Sequence, residues 1–138
     1  MHQSTLPCDF ALPAEWEPQS AIMLTWPHAG TDWKPYLPEI TDTYLELADI
    51  ITRYELLLVA TPDVPATRYQ LKKKLSAEQM SRVLLYEVES NDTWVRDHGP
   101  LTMVLRKKQN TWMVPYRILD FKFNGWGEAE WKTAGFRA

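Results

Sequence analysis

Glu55-Leu56-Leu57-Leu58-Val59-Ala60-Thr61 is an apolar run opened by one charge and closed by Pro62. A run this short, bounded by a proline that cannot donate to a ladder, reads as a buried strand. Just upstream, Leu37, Ile40, Tyr44, Leu47, Ala48 and Ile51 recur at steps of three and four. That spacing predicts a helix whose other face carries Glu39, Asp42, Glu46, Asp49 and Arg53. Pro35 and Pro38 suit its first turn, where a missing N–H is harmless, and Glu39 and Asp42 complement the helix dipole there. Further back, Ala21-Ile22-Met23-Leu24-Thr25-Trp26, stopped by Pro27, predicts another buried strand. Downstream, Pro65 to Ser76 predicts a shorter helix with Ala66, Tyr69 and Leu75 on its buried side. Val83 to Val88 then predicts a third strand. Strands alternating with helices predict an α/β fold.

The flanks are less regular. Residues 1–20 hold Pro7, Pro13 and Pro18 and predict extended coil. A polar loop, Ser90 to Thr93, leads into Trp94-Val95-Arg96-Asp97-His98-Gly99-Pro100. Leu101 to Arg106 and Thr111 to Pro115 predict an antiparallel hairpin turning at Lys107-Lys108-Gln109-Asn110. Asp120-Phe121-Lys122-Phe123-Asn124-Gly125-Trp126-Gly127 reads as an aromatic loop. Glu128 to Ala138 holds Trp131 and Phe136 without an element to bury them, so a truncated chain is expected.

The 138 residues suffice for a proper core, and residues 1–138 are expected to be the N-terminal fragment of a single domain. A hydrophobic share of 45% and a charged share of 24% suit a folded protein. Seven Trp and six Tyr are many for this length and fit either a dense core or a ligand pocket. The net charge is -3, and Lys72-Lys73-Lys74 and Arg106-Lys107-Lys108 read as solvated surface, so nucleic acid is not the expected partner. One cysteine, Cys8, excludes an internal disulfide and points to a reducing compartment. No apolar stretch nears the roughly 20 residues of a membrane helix. The expected setting is the cytoplasm, with no membrane partner.

The segment Trp94 to Pro100 carries the chemistry. It follows a predicted strand, where α/β folds gather ligand groups. Gly99 and Pro100 together would hold the backbone beyond Asp97 in one course. A carboxylate accepts two parallel N–H bonds from a guanidinium, and an indole face attracts the same planar cation. Asp97 and Trp94 could form such a trap. They could equally be an Asp97–Arg96 pair or turn cap beside a core tryptophan. His2, His28 and His98 show no ligand spacing, so no metal site is expected. Gly125-Trp126-Gly127 lacks the spacing and the Lys of a phosphate loop. Trp26, Trp33, Trp112, Trp126 and Trp131 read first as core, although Trp26 and Trp126 could border a cleft.

Three motifs in order carry a resemblance. Leu12-Pro13-Ala14-Glu15-Trp16-Glu17-Pro18 with Met23-Leu24-Thr25-Trp26-Pro27 resembles the opening of the agmatine deiminases and the related bacterial peptidylarginine deiminases. Asn91-Asp92-Thr93-Trp94-Val95-Arg96-Asp97-His98-Gly99-Pro100 resembles their signature, and Asp120 to Gly127 the loop after it. The resemblance spans nearly all of this chain but about a third of a typical member.

That resemblance implies a pentein fold, an α/β propeller of ββαβ-type blades, of which about the first two would lie here. It implies that Asp97 grips the substrate guanidinium, that Trp94 packs beside it, and that Asp92 assists or braces the loop. It implies hydrolysis of agmatine to N-carbamoylputrescine and ammonia, with no metal or organic cofactor. A cysteine thiolate would attack the guanidinium carbon to give an amidino-cysteine, with a histidine moving protons. Both groups are expected beyond Ala138, since Cys8 matches no family motif, so these 138 residues alone should be inactive. Two alternatives stand beside agmatine deiminase. One is a peptidyl- or free-arginine deiminase of the same family, and the other a non-catalytic cation- or protein-binding module. Exposed blade flanks would favour a homo-oligomer or self-association.

Overall fold

The computed structural model describes residues 10–105 and 116–121 and has an α/β architecture. The expectations for Cys8, for strand residues 111–115, for Trp112, Trp126 and Trp131, and for 122–138 fall outside the described residues. The chain divides into two compact units. Among the described residues, one comprises 19–97, and the other 10–18 with 98–105 and 116–121.

The first unit is built on a parallel sheet of β2 (Ala21–Thr25), β3 (Leu56–Thr61) and β4 (Val83–Glu87), in that spatial order. Leu57 lies opposite Val83 on one side, and Met23 lies opposite Leu58 on the other. Helix α1 (Leu37–Thr52), preceded by a 3-10 turn at Lys34–Tyr36, crosses from β2 to β3. Helices α2 (Val64–Lys74) and α3 (Ala77–Met80) cross from β3 to β4. Parallel strands need such crossovers, and apolar side chains seal them against the sheet. Trp26, Ala48, Leu57, Val59, Leu71, Leu75 and Val83 form that core, with Leu24, Tyr44, Leu45, Ile51, Met80 and Leu85 packed around it.

Local signals set the helix starts. Pro38 stands at the first turn of α1. The Asp63 side chain accepts from the Ala66 N–H at 2.9 Å and opens α2. Ser76 and Gln79 form a reciprocal capping box on α3, a short helix that the sequence reading omitted. Two predicted faces need correction. Ala66 and Tyr69 on α2 are exposed, and Thr67 and Leu71 are buried instead. The Thr67 hydroxyl pairs with Thr61 at 2.8 Å, so a polar residue satisfies its burial, while the Tyr69 ring lies under the Lys73 ammonium in solvent. On α1, Leu47 is half-exposed and Leu45 packs on the core in its place. The third strand is not wholly buried either. As an edge strand, β4 leaves Leu84 and Tyr86 exposed on the face away from the helices.

The second unit holds an antiparallel sheet in the order β1 (Phe10–Ala11), β5 (Leu101–Leu105), β6 (Tyr116–Leu119). Strand β5 pairs antiparallel with Tyr116–Leu119, in register from Leu101↔Leu119 to Val104↔Tyr116, while the expected partner 111–115 and its turn at 107–110 lie outside the described residues. Phe10 and Ala11, expected as coil, pair with Leu105 and Val104, and the Arg117 guanidinium covers the Phe10 ring. No helix among the described residues is long and apolar enough to cross a membrane.

Candidate functional site

The carboxyl ends of β2 and β4 release the two loops that build the site. From β2 the chain runs through Trp26 and Pro27 into a tight turn at His28–Thr31. The Thr31 N–H and hydroxyl both return to the His28 carbonyl, at 3.1 and 2.9 Å. Gly30 N–H donates to His28 Nδ1 at 3.1 Å. A backbone N–H can only donate, so Nδ1 accepts, and His28 Nε2 carries the proton toward the Ser90 carbonyl at 2.8 Å. His28 is thus a strut between the loops, and both of its ring nitrogens are committed.

Five residues beyond His28, Trp33 half-emerges from the surface and donates its indole N–H to Thr93 Oγ1 at 2.8 Å. Its ring lies 6.1 Å from that of Trp94, tilted by 47°. The sequence pattern had placed Trp33 in the core. No local signal marks it as part of the site, because its partners lie some sixty positions away. Trp26 is core: it is buried, meets Tyr44 edge-on at 5.8 Å, and donates to Gln70 Oε1 at 2.8 Å.

The signature segment is not an open loop. Val95–His98 make one helical turn, α4, closed by the Asp97 N–H donating to the Trp94 carbonyl at 2.9 Å. Positions three apart on such a turn share a side, which places Trp94 and Asp97 together. Trp94 is 57% exposed, so much of its indole surface is open. Asp97 is half-buried, and no described ion pair joins it to Arg96 or any other cation.

Asp92 is exposed and turns inward along the chain, Oδ1 accepting the Thr93 N–H at 2.6 Å. Its charge reaches Tyr44. Burial raises the Tyr44 phenol above its usual value, the Thr93 hydroxyl beside it acts in the other direction, and Asp92 raises it further. The Tyr44 phenol and the Thr93 hydroxyl therefore meet where α1 approaches the signature segment.

A polar cleft of about 350 Å³ lies at the other end of the sheet, among Asp49, Thr52, Arg53, Ser76, Glu78, Gln79 and Arg82. Its groups bind one another. Gln79 donates to Asp49 Oδ1 at 2.7 Å, and Arg82 donates to the Thr52 and Arg53 carbonyls. It is a packing seam, not a receptor for a ligand. Among the described residues no group of three or more His, Cys, Asp or Glu could hold a metal ion.

The chain is similar to known proteins over most of its length. The family model for Porphyromonas-type peptidyl-arginine deiminase matches residues 11–135. An agmatine deiminase of Medicago truncatula is 31% identical over 94% of this chain and 34% of its own. One from Pseudomonas syringae pv. syringae is 31% identical over 86% of this chain and 29% of its own. A solved agmatine deiminase of C. jejuni with substrate bound superposes with a TM-score of 0.70 at 30% identity, covering 86% of this chain and 31% of that one. The chain thus spans about a third of the length of these relatives. With a match reaching from residue 11 to residue 135, the chain belongs to the Porphyromonas-type peptidyl-arginine deiminase family.

Proposed function

We propose that this chain supplies one wall of the substrate site of an agmatine deiminase, which turns agmatine and water into N-carbamoylputrescine and ammonia. The observation that carries it is an Asp97 carboxylate with no cation paired to it among the described residues, one helical turn from an exposed Trp94 indole. An unpaired carboxylate accepts two N–H bonds from a guanidinium, and the flat indole lies against the same planar cation. Binding that cation is most of what this wall contributes, an interaction felt alike in the bound substrate and the transition state. Asp92, committed to the Thr93 N–H, braces the loop more than it reaches substrate. The resemblance expects the thiolate and the proton-moving histidine from residues after Ala138. Two propeller blades, self-association through open blade flanks, a cytoplasmic setting and a role in making putrescine precursors belong to the same proposal. The relatives named agmatine deiminase support it.

The test is ammonia release from agmatine by the intact gene product, with Asp97→Ala beside it. Turnover in the wild type and its loss in the folded variant are expected. Normal turnover in Asp97→Ala would remove Asp97 from the site.

The family's description favours one second reading, an arginine or peptidyl-arginine substrate. Arginine carries a carboxylate that agmatine lacks. Side-by-side kcat/KM values on agmatine, arginine and a peptide ending in arginine decide between them, and a preference for the carboxylate-bearing substrates would replace agmatine.

A further inference from the structure

Thr93 has every polar group engaged. Its N–H donates to Asp92 Oδ1 at 2.6 Å, its carbonyl accepts from the Val95 N–H at 2.9 Å, and its hydroxyl accepts from the Trp33 indole at 2.8 Å. It is 5% exposed, although Asp92 and Trp94 on either side of it are exposed. A buried threonine so bound cannot rotate without breaking several bonds in a site shielded from water. The directions of its two neighbours follow from its own. The Tyr44 phenol beside its hydroxyl places this node against α1, and through the Trp26 edge contact against the core.

Trp33 completes the arrangement from the other loop. A planar guest held between two rings needs them about 7 Å apart and nearly parallel, twice the usual carbon contact distance. At 6.1 Å and 47° the Trp33 and Trp94 rings leave no such slot. Trp33 therefore supports Trp94 from one side and leaves its free surface to the ligand.

We propose that Thr93 and Trp33 are positioning residues, a hydrogen-bonded pair that sets the plane of Trp94 and so the fit of a guanidinium against it. This rests on the proposed substrate, and its test is built to separate the two. Thr93→Val removes the hydroxyl at nearly constant shape, Thr93→Ser restores it, and Trp33→Phe keeps a ring while deleting the N–H. In the intact gene product, Thr93→Val is expected to raise KM for agmatine by about tenfold or more while kcat changes little, because the wall acts on the bound cation. Thr93→Ser should return KM to near the wild-type value, and Trp33→Phe should fall with Thr93→Val. Indole ¹H–¹⁵N NMR, assigned through Trp33→Phe and Trp94→Phe, gives a readout independent of turnover. The Trp33 indole proton should exchange slowly in the wild type and in Thr93→Ser, and fast in Thr93→Val, with the Trp94 signal moving as well.

A Thr93→Val protein with unchanged KM and an unmoved Trp94 signal would overturn the proposal, as would failure of Thr93→Ser to rescue. Should Thr93→Val not fold, a Trp33→Phe protein of wild-type KM and unmoved Trp94 signal overturns it equally. Absence of turnover on any guanidine, with the NMR changes intact, would instead fault the substrate assignment and leave the pair holding Trp94.

Discussion

His28 Nε2 donates to the Ser90 carbonyl at 2.8 Å, joining two loops that are 62 positions apart in sequence. The ring is held from behind as well, by the Gly30 N–H on Nδ1. A Cβ at Gly30 would stand 2.8 Å from His28 Cε1 and 3.0 Å from Nδ1. The ring could yield only by leaving Ser90. Gly30→Ala is therefore expected to destabilise the protein by about 1 kcal/mol. A urea midpoint equal to that of the wild type would show that the ring moves freely, contrary to this strut.

The signature carboxylate is open to a more discriminating variant than alanine. Asp97→Asn keeps the shape and removes the charge, so it loses the charge-assisted pair of bonds while the turn persists. A fall in kcat/KM on agmatine of roughly a hundredfold is expected, equivalent to about 3 kcal/mol. Circular dichroism should be unchanged. A fall of less than about threefold, well under 1 kcal/mol, would mean that Asp97 does not meet the cation.

Leu57 lies at the centre of the sheet, fully buried among Val59, Leu71 and Val83. Leu57→Ala leaves a cavity that the flanking strands cannot close and should lower unfolding stability by about 3 kcal/mol. Leu84→Ala, on the exposed face of β4, should change it by under about 1 kcal/mol. Comparable losses at both positions would mean that the outer face is packed in solution.

Acid titration reads the seam between α1 and α3. The Gln79 amide first, and the Arg53 side chain second, hold the Asp49 carboxyl below its ordinary value. A carboxyl lowered on folding adds stability that is fully present above its unfolded value near pH 4 and is lost as pH falls through the folded value. Gln79→Ala removes the larger cause, so the Asp49 carboxyl should titrate at higher pH by ¹³C NMR. An unchanged titration would assign the lowering to Arg53 alone.

Much of the first unit was legible from local pattern. Strands β2, β3 and β4 and helix α1 announce themselves because apolar runs, three-and-four spacing and proline stops are properties of neighbouring residues. The buried side of α2 was not legible. Thr67 and Tyr69 differ little in local preference, and the matching hydroxyl of Thr61 across the core decides which goes inside. The two-residue strand Phe10–Ala11 escaped for the same reason, since it exists only through its pairing with Val104 and Leu105.

Trp94 and Asp97 stand out in the sequence because carboxylate, indole and turn residues lie within one short segment, and because that segment resembles a family signature. Their chemical character was decided there. Tertiary structure added that they stand on one helical turn, and that the Trp33 indole bonds to Thr93 while its ring meets that of Trp94. Hydrogen bonds between residues 33 and 93, or 28 and 90, leave no periodicity in the chain. They arise where β2 and β4, the two strands flanking β3, both end at the same end of the sheet, and only folding brings those ends together.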